Sequence, residues 1–123
     1  MVLTGFSPFV QYGNVDGRVV HLNADGQLEE IFKGVTEKLI VVAFLSKKSL
    51  PCNKMYPYLV TLSNEFPNVV FIRIDTDLLE LTANKYAVNL LPSFQFYING
   101  IKQGEFSGAS ENRLRQSVSE LAK

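Results

Sequence analysis

The chain has 123 residues, 46% of them hydrophobic and 20% charged, the size and balance of one globular domain rather than a disordered tail. Lys and Arg total 12 and Asp and Glu total 12, so no basic excess exists to neutralise phosphates, which argues against general nucleic-acid binding. One cysteine excludes a disulfide within the chain and a Cys-rich zinc site.

Residues 1–17 mix Phe6, Phe9 and Tyr12 with Gly5, Pro8, Gly13, Asn14 and Gly17. Neither a helical nor an alternating period runs through them, which predicts a loop-like N-terminal extension. Regular signals start at Arg18, and residues 18–123 read as one domain. Residues 18–22 read as a short strand. Leu28, Ile31, Phe32 and Val35 then fall at i, i+3, i+4 and i+7, the apolar stripe of a helix that frays near Gly34. Residues 38–45 are apolar without alternation and rich in β-branched side chains, as in a strand buried on both faces. A polar break at residues 46–49 precedes a helix with Met55, Leu59, Leu62 and Phe66 on one face, kinked at Pro57.

Residues 68–75 form another buried strand, and residues 77–86 a shorter helix. Asp77 and Glu80 have the spacing of a capping box at its start. Residues 93–98 and 102–107 flank Asn99-Gly100, a strong hairpin signal because both turn positions need φ > 0. A last helix from about Ser110 buries Leu114, Val118 and Leu121. The order β-α-β-α-β-α-β-β-α predicts an α/β domain with a parallel portion closed by an antiparallel hairpin.

The longest apolar run, Leu39 to Leu45, is far short of the roughly 20 residues a membrane span needs. No basic residue precedes Arg18, no N-glycosylation sequon occurs, and Val2 excludes myristoylation. These signals predict a cytoplasmic protein without membrane association.

The arrangement resembles the thioredoxin family. Val41-Val42-Ala43-Phe44 followed by Ser49-Leu50-Pro51-Cys52 is similar to the strand and Cys-Gly-Pro-Cys motif of thioredoxins, with Pro57 at the family's helix-kinking proline. Ile74-Asp75-Thr76-Asp77 resembles the Val-Asp-Val-Asp segment. Leu91 to Phe96 resembles the stretch around the cis-proline, followed by Asn99-Gly100 and Gly104 to Ala109. The resemblance covers about residues 18–123. It implies a central mixed sheet of about five strands flanked by about four helices.

At the active-site positions the chain departs from that family. Ser49 replaces the attacking cysteine of Cys-x-x-Cys, leaving a Ser-x-x-Cys motif. Lys48 replaces the aromatic residue before the motif, Leu50 its glycine, and Ala43 the buried acid of the preceding strand. A serine hydroxyl is protonated near neutral pH and forms no disulfide, so two-step dithiol exchange is closed to this chain. The resemblance then implies a binding module: a protein or extended peptide docks at the groove beside Pro92, pairing with the backbone of Leu91. Lys47 and Lys48 at that groove favour acidic partners.

The alternative keeps redox chemistry, with Cys52 exchanging a single mixed disulfide with glutathione or a protein. Cys52 has two readings: a filler of a small apolar hole, or a thiol depressed by the helix N-terminus with Lys48 and Lys54. Ser49 reads as a helix N-cap, since no base stands beside it to make it a nucleophile. His21 reads as structural. Asp75 and Asp77 read as caps rather than a metal pair, and no cofactor or metal is expected.

Overall fold

The computed structural model describes residues 15–123. A six-stranded sheet runs in the order β1-β2-β4-β3-β5-β6. Its strands are β1 (Val15–Asp16), β2 (Val19–His21), β3 (Leu39–Leu45), β4 (Val70–Asp75), β5 (Ser93–Ile98) and β6 (Ile101–Ser107). Strands β2, β4 and β3 are parallel neighbours, whereas β5 pairs antiparallel with both β3 and β6. This is the expected five-stranded mixed sheet with a two-residue edge added. Helices α1 (Gln27–Gly34), α2 (Leu50–Glu65), α3 (Glu80–Lys85) and α4 (Glu111–Leu121) cover it.

All of β3 is buried, and its alternate residues serve different cores. Leu39, Val41, Ala43 and Leu45 pack with Met55, Leu59 and Leu62 of α2 and with Leu114 and Val118 of α4. Ile40, Val42 and Phe44 face the opposite way, toward Leu28 and Ile31 of α1. Burying a Leu, Ile or Phe side chain contributes about 1.5–3 kcal/mol, so β3 and the inner face of α2 anchor the sheet. Asn99 and Gly100 have φ of 53° and 76°, closing β5 and β6 with a two-residue turn as their sequence predicts. A one-residue slip in the β5–β6 register leaves Gln103 bulged, between Gly104 opposite Phe96 and Lys102 opposite Tyr97.

Two local expectations need correction. Residues 1–17 were expected to be loop-like, but Val15 and Asp16 pair with Val20 and Val19 because β2 would otherwise leave an open edge. Residues 1–14, with Phe6, Phe9 and Tyr12, lie outside the described residues. The Asp77–Glu80 capping box is also absent. Helix α3 begins at Glu80, and its N-cap Leu79 offers no side-chain bond. Instead Asp25, from the loop before α1, accepts the Thr82 backbone N–H at 3.0 Å and the Thr82 hydroxyl. Asp77 is occupied elsewhere, accepting the Ser46 hydroxyl at 2.6 Å.

Candidate functional site

Strands β3 and β5 run antiparallel with Phe44 opposite Ser93, so the segment leaving β3 and the segment entering β5 share one end of the sheet. Ser46 shapes the first segment. Its hydroxyl donates to Asp77 and accepts the Lys48 backbone N–H at 3.2 Å, while its carbonyl accepts the Ser49 N–H. The Asn53 side-chain amide donates to the Lys47 carbonyl at 3.0 Å, tying the loop to the first turn of α2.

Ser49 is the N-cap of α2, in extended conformation, with its Oγ accepting the Cys52 backbone N–H at 3.3 Å. Pro51 sits in the first turn, where its missing N–H costs nothing. Residue types and positions therefore agree: a capping serine, a preorganised proline, then helix. Cys52 is 1% exposed and lies in the core with Ala43, Met55 and Phe94. Lys48 and Leu50 point outward, and Leu50 is 74% exposed.

On the second segment, Pro92 is buried and Leu91 half-buried, and the Leu91–Pro92 peptide is cis. The Pro92 carbonyl accepts the Gly108 N–H at 2.9 Å. Leu91 stands outside the β3–β5 register, and its neighbour Leu90 is 68% exposed. The fold thus gathers Lys48, Ser49, Leu50 and Cys52 at the same end as Leu90, Leu91 and Pro92. No group of three or more His, Cys, Asp or Glu side chains fit to hold a metal occurs among the described residues.

The family model described as thioredoxin matches residues 18–120. The chain belongs to the thioredoxin family. It is 36% identical to rabbit (Oryctolagus cuniculus) thioredoxin over 103 residues, covering 84% of this chain and 98% of that one. It is 39% identical over 106 residues to rat (Rattus norvegicus) thioredoxin domain-containing protein 2, covering 86% of this chain but only 19% of the rat protein. Among solved structures, Fasciola hepatica thioredoxin superposes with a TM-score of 0.80 at 34% identity, covering 84% of this chain and 98% of that one.

One polar cluster in this thioredoxin-family chain escaped the sequence reading. Tyr56 of α2 donates its hydroxyl to Asp16 at 2.5 Å and meets His21 Nε2 at 2.6 Å. The Arg73 guanidinium lies 4.4 Å from the Tyr56 ring centroid. Burial and then the positive charge of Arg73 hold the His21 imidazole below its ordinary range, with Lys47 adding to them. Asp16, 3.5 Å away, pulls the other way without prevailing. Burial, followed by the hydrogen bond and charge of Asp16, pushes the Tyr56 hydroxyl far up, so it remains a neutral donor. The available signal was Arg73 itself, a guanidinium in the otherwise apolar run Val69-Val70-Phe71-Ile72-Arg73-Ile74. His21 is engaged here with Tyr56, which agrees with its structural reading.

Proposed function

We propose that this chain is a thioredoxin-family binding module, in which the dithiol reductase chemistry of the site has been lost. The observation that carries the reading is the single cysteine, buried in the first turn of α2 behind a capping serine. Dithiol exchange needs one thiolate to attack the substrate disulfide and a second thiol to break the mixed disulfide, leaving an intramolecular disulfide as the oxidised product. A chain with one thiol cannot form that product. Ala43 is fully buried and apolar, so no side chain at that position can accept or deliver a proton near Cys52.

The binding half of the reading rests on what surrounds the motif. Leu50 and Leu90 are exposed apolar side chains at one end of the sheet, and Leu91 is outside the strand pairing. An extended peptide laid beside Pro92 would pair with the Leu91 backbone and cover the two leucines. Exposed Lys47 and Lys48 favour acidic segments.

Insulin-disulfide reduction with dithiothreitol tests the redox half, comparing the chain with its Cys52→Ala and Ser49→Cys forms. The expected result is no turnover above the reagent background for the chain and for Cys52→Ala, with weak recovery in Ser49→Cys. Turnover that disappears in Cys52→Ala would establish monothiol exchange at Cys52 and overturn the proposal.

A further inference from the structure

At the C-terminal ends of β2 and β4, beside the loop that leaves β3, lies a recess of about 130 Å³. Its polar lining is His21, Asn23, Lys47, Arg73 and Asp75. Ligands of open α/β sheets sit at this end of the parallel strands, where the chain leaves them. Arg73 is the unusual member. It is 6% exposed, at the centre of the sheet, paired in register with His21 on one side and Ala43 on the other.

A guanidinium this buried normally faces a carboxylate. Arg73 has none: no Asp or Glu forms an ion pair with it among the described residues. The Tyr56 side chain meets its charge with the ring face and takes one donor at the hydroxyl. No wholly buried side-chain nitrogen among the described residues lacks a partner, so the remaining Arg73 donors are within reach of solvent, and Arg73 lines the recess. The charges of the lining point to what completes it. On the wall itself Lys47 and Arg73 bring two positive charges and Asp75 one negative, while Asp16 stands behind His21 and Tyr56 and does not line the recess.

We propose that this recess binds a carboxylate group, held by the Arg73 guanidinium and the Lys47 ammonium. The fork of a guanidinium matches the two oxygens of a carboxylate. Asp75 on the rim disfavours a doubly charged phosphate. At about 130 Å³ the recess is below the range of pockets that take drug-sized ligands and suits a small acid group. The carboxylate can come from a small free acid or from an acidic side chain on a polypeptide. The site shares Lys47 with the peptide-binding reading, and Arg73 separates the two, because Arg73→Gln changes the recess and leaves the groove beside Leu91 and Pro92 untouched.

Two-dimensional NMR of the full chain, titrated with acetate against chloride at constant ionic strength, tests the site. The expected result is saturable shifts centred on the Arg73 Nε–H signal and the backbone amides of Asn23 and Lys47. Lys47→Ala, an exposed change that leaves the fold intact, should weaken acetate binding by about two- to fivefold. Arg73→Gln should remove saturation. N-acetyl-Ala-Glu-Ala-amide separates the two sources: binding tighter than acetate that Arg73→Gln abolishes assigns the carboxylate to a polypeptide, and equal or weaker binding assigns it to a free acid. Non-saturating shifts, shifts scattered over the surface, or saturation by phosphate but not acetate would each overturn the proposal. So would an acetate affinity unchanged by Lys47→Ala.

Discussion

The hydroxyl of Ser49 accepts the backbone N–H of Cys52 across the first turn of α2. Ser49 is therefore a structural cap for the helix that carries the chain's one thiol.

Removing that cap has a defined cost. Ser49→Ala should lower stability by about 1 kcal/mol, and Ser49→Gly by only a few tenths. Urea unfolding checks this through a shift of the midpoint at constant slope. A Ser49→Ala protein as stable as its parent would mean that the 3.3 Å contact contributes nothing.

Burial governs the reactivity of Cys52. At 1% exposure Cys52 should be closed to small alkylating reagents. Iodoacetamide near neutral pH should leave the native chain unmodified over hours, and denaturant should release stoichiometric labelling, read by mass spectrometry. Rapid labelling without denaturant would show that the start of α2 opens readily.

Acid should weaken the fold through His21. The folded imidazole sits below its ordinary 6.5 because burial, Arg73 and Lys47 outweigh Asp16. The unfolded chain then binds more protons between the two pKa values, so stability falls as pH drops through about 6.5. Above that pH the contribution of neutral His21 is fully present. Thermal midpoints between about pH 7 and pH 5 should decline, and His21→Gln should flatten the decline. Glu29 does not confuse the window. Burial raises it, but hydrogen bonds from Tyr86 and Lys85 outweigh that and hold it below its ordinary 4.5, so its loss begins at lower pH.

Ala43 and Arg73 are direct partners across β3 and β4, with side chains on the same face. Ala43→Asp places a buried carboxylate beside a buried guanidinium. It should therefore cost less in the parent than in an Arg73→Gln background, with a coupling of about 0.5–3 kcal/mol in a double-mutant cycle. Additive costs would mean that the two side chains do not meet.

The sheet was readable because its signals are local. The unbroken apolar run of β3, the Asn99-Gly100 turn and the leucine face of α2 each announce themselves within a dozen residues. Ser49 was read correctly for the same reason, since a cap and its N–H lie three residues apart. Asp77 was misread because its spacing to Glu80 satisfied a local rule while its actual partner, Ser46, is 31 residues away. The cap of α3 comes from Asp25, 57 residues distant, and no window along the chain connects them. The cluster at Tyr56 has the same character, joining β1, β2, α2 and β4 through one hydroxyl and one ring.

Leu91 touches both hydrophobic cores, the one beneath α2 and α4 and the one beneath α1. A backbone clamped from two sides keeps its shape with or without a ligand on it. A peptide aligned with it would order little on arrival, so encounter rather than rearrangement would set how fast it binds. Differences between one peptide and another would then be written in how long each stays.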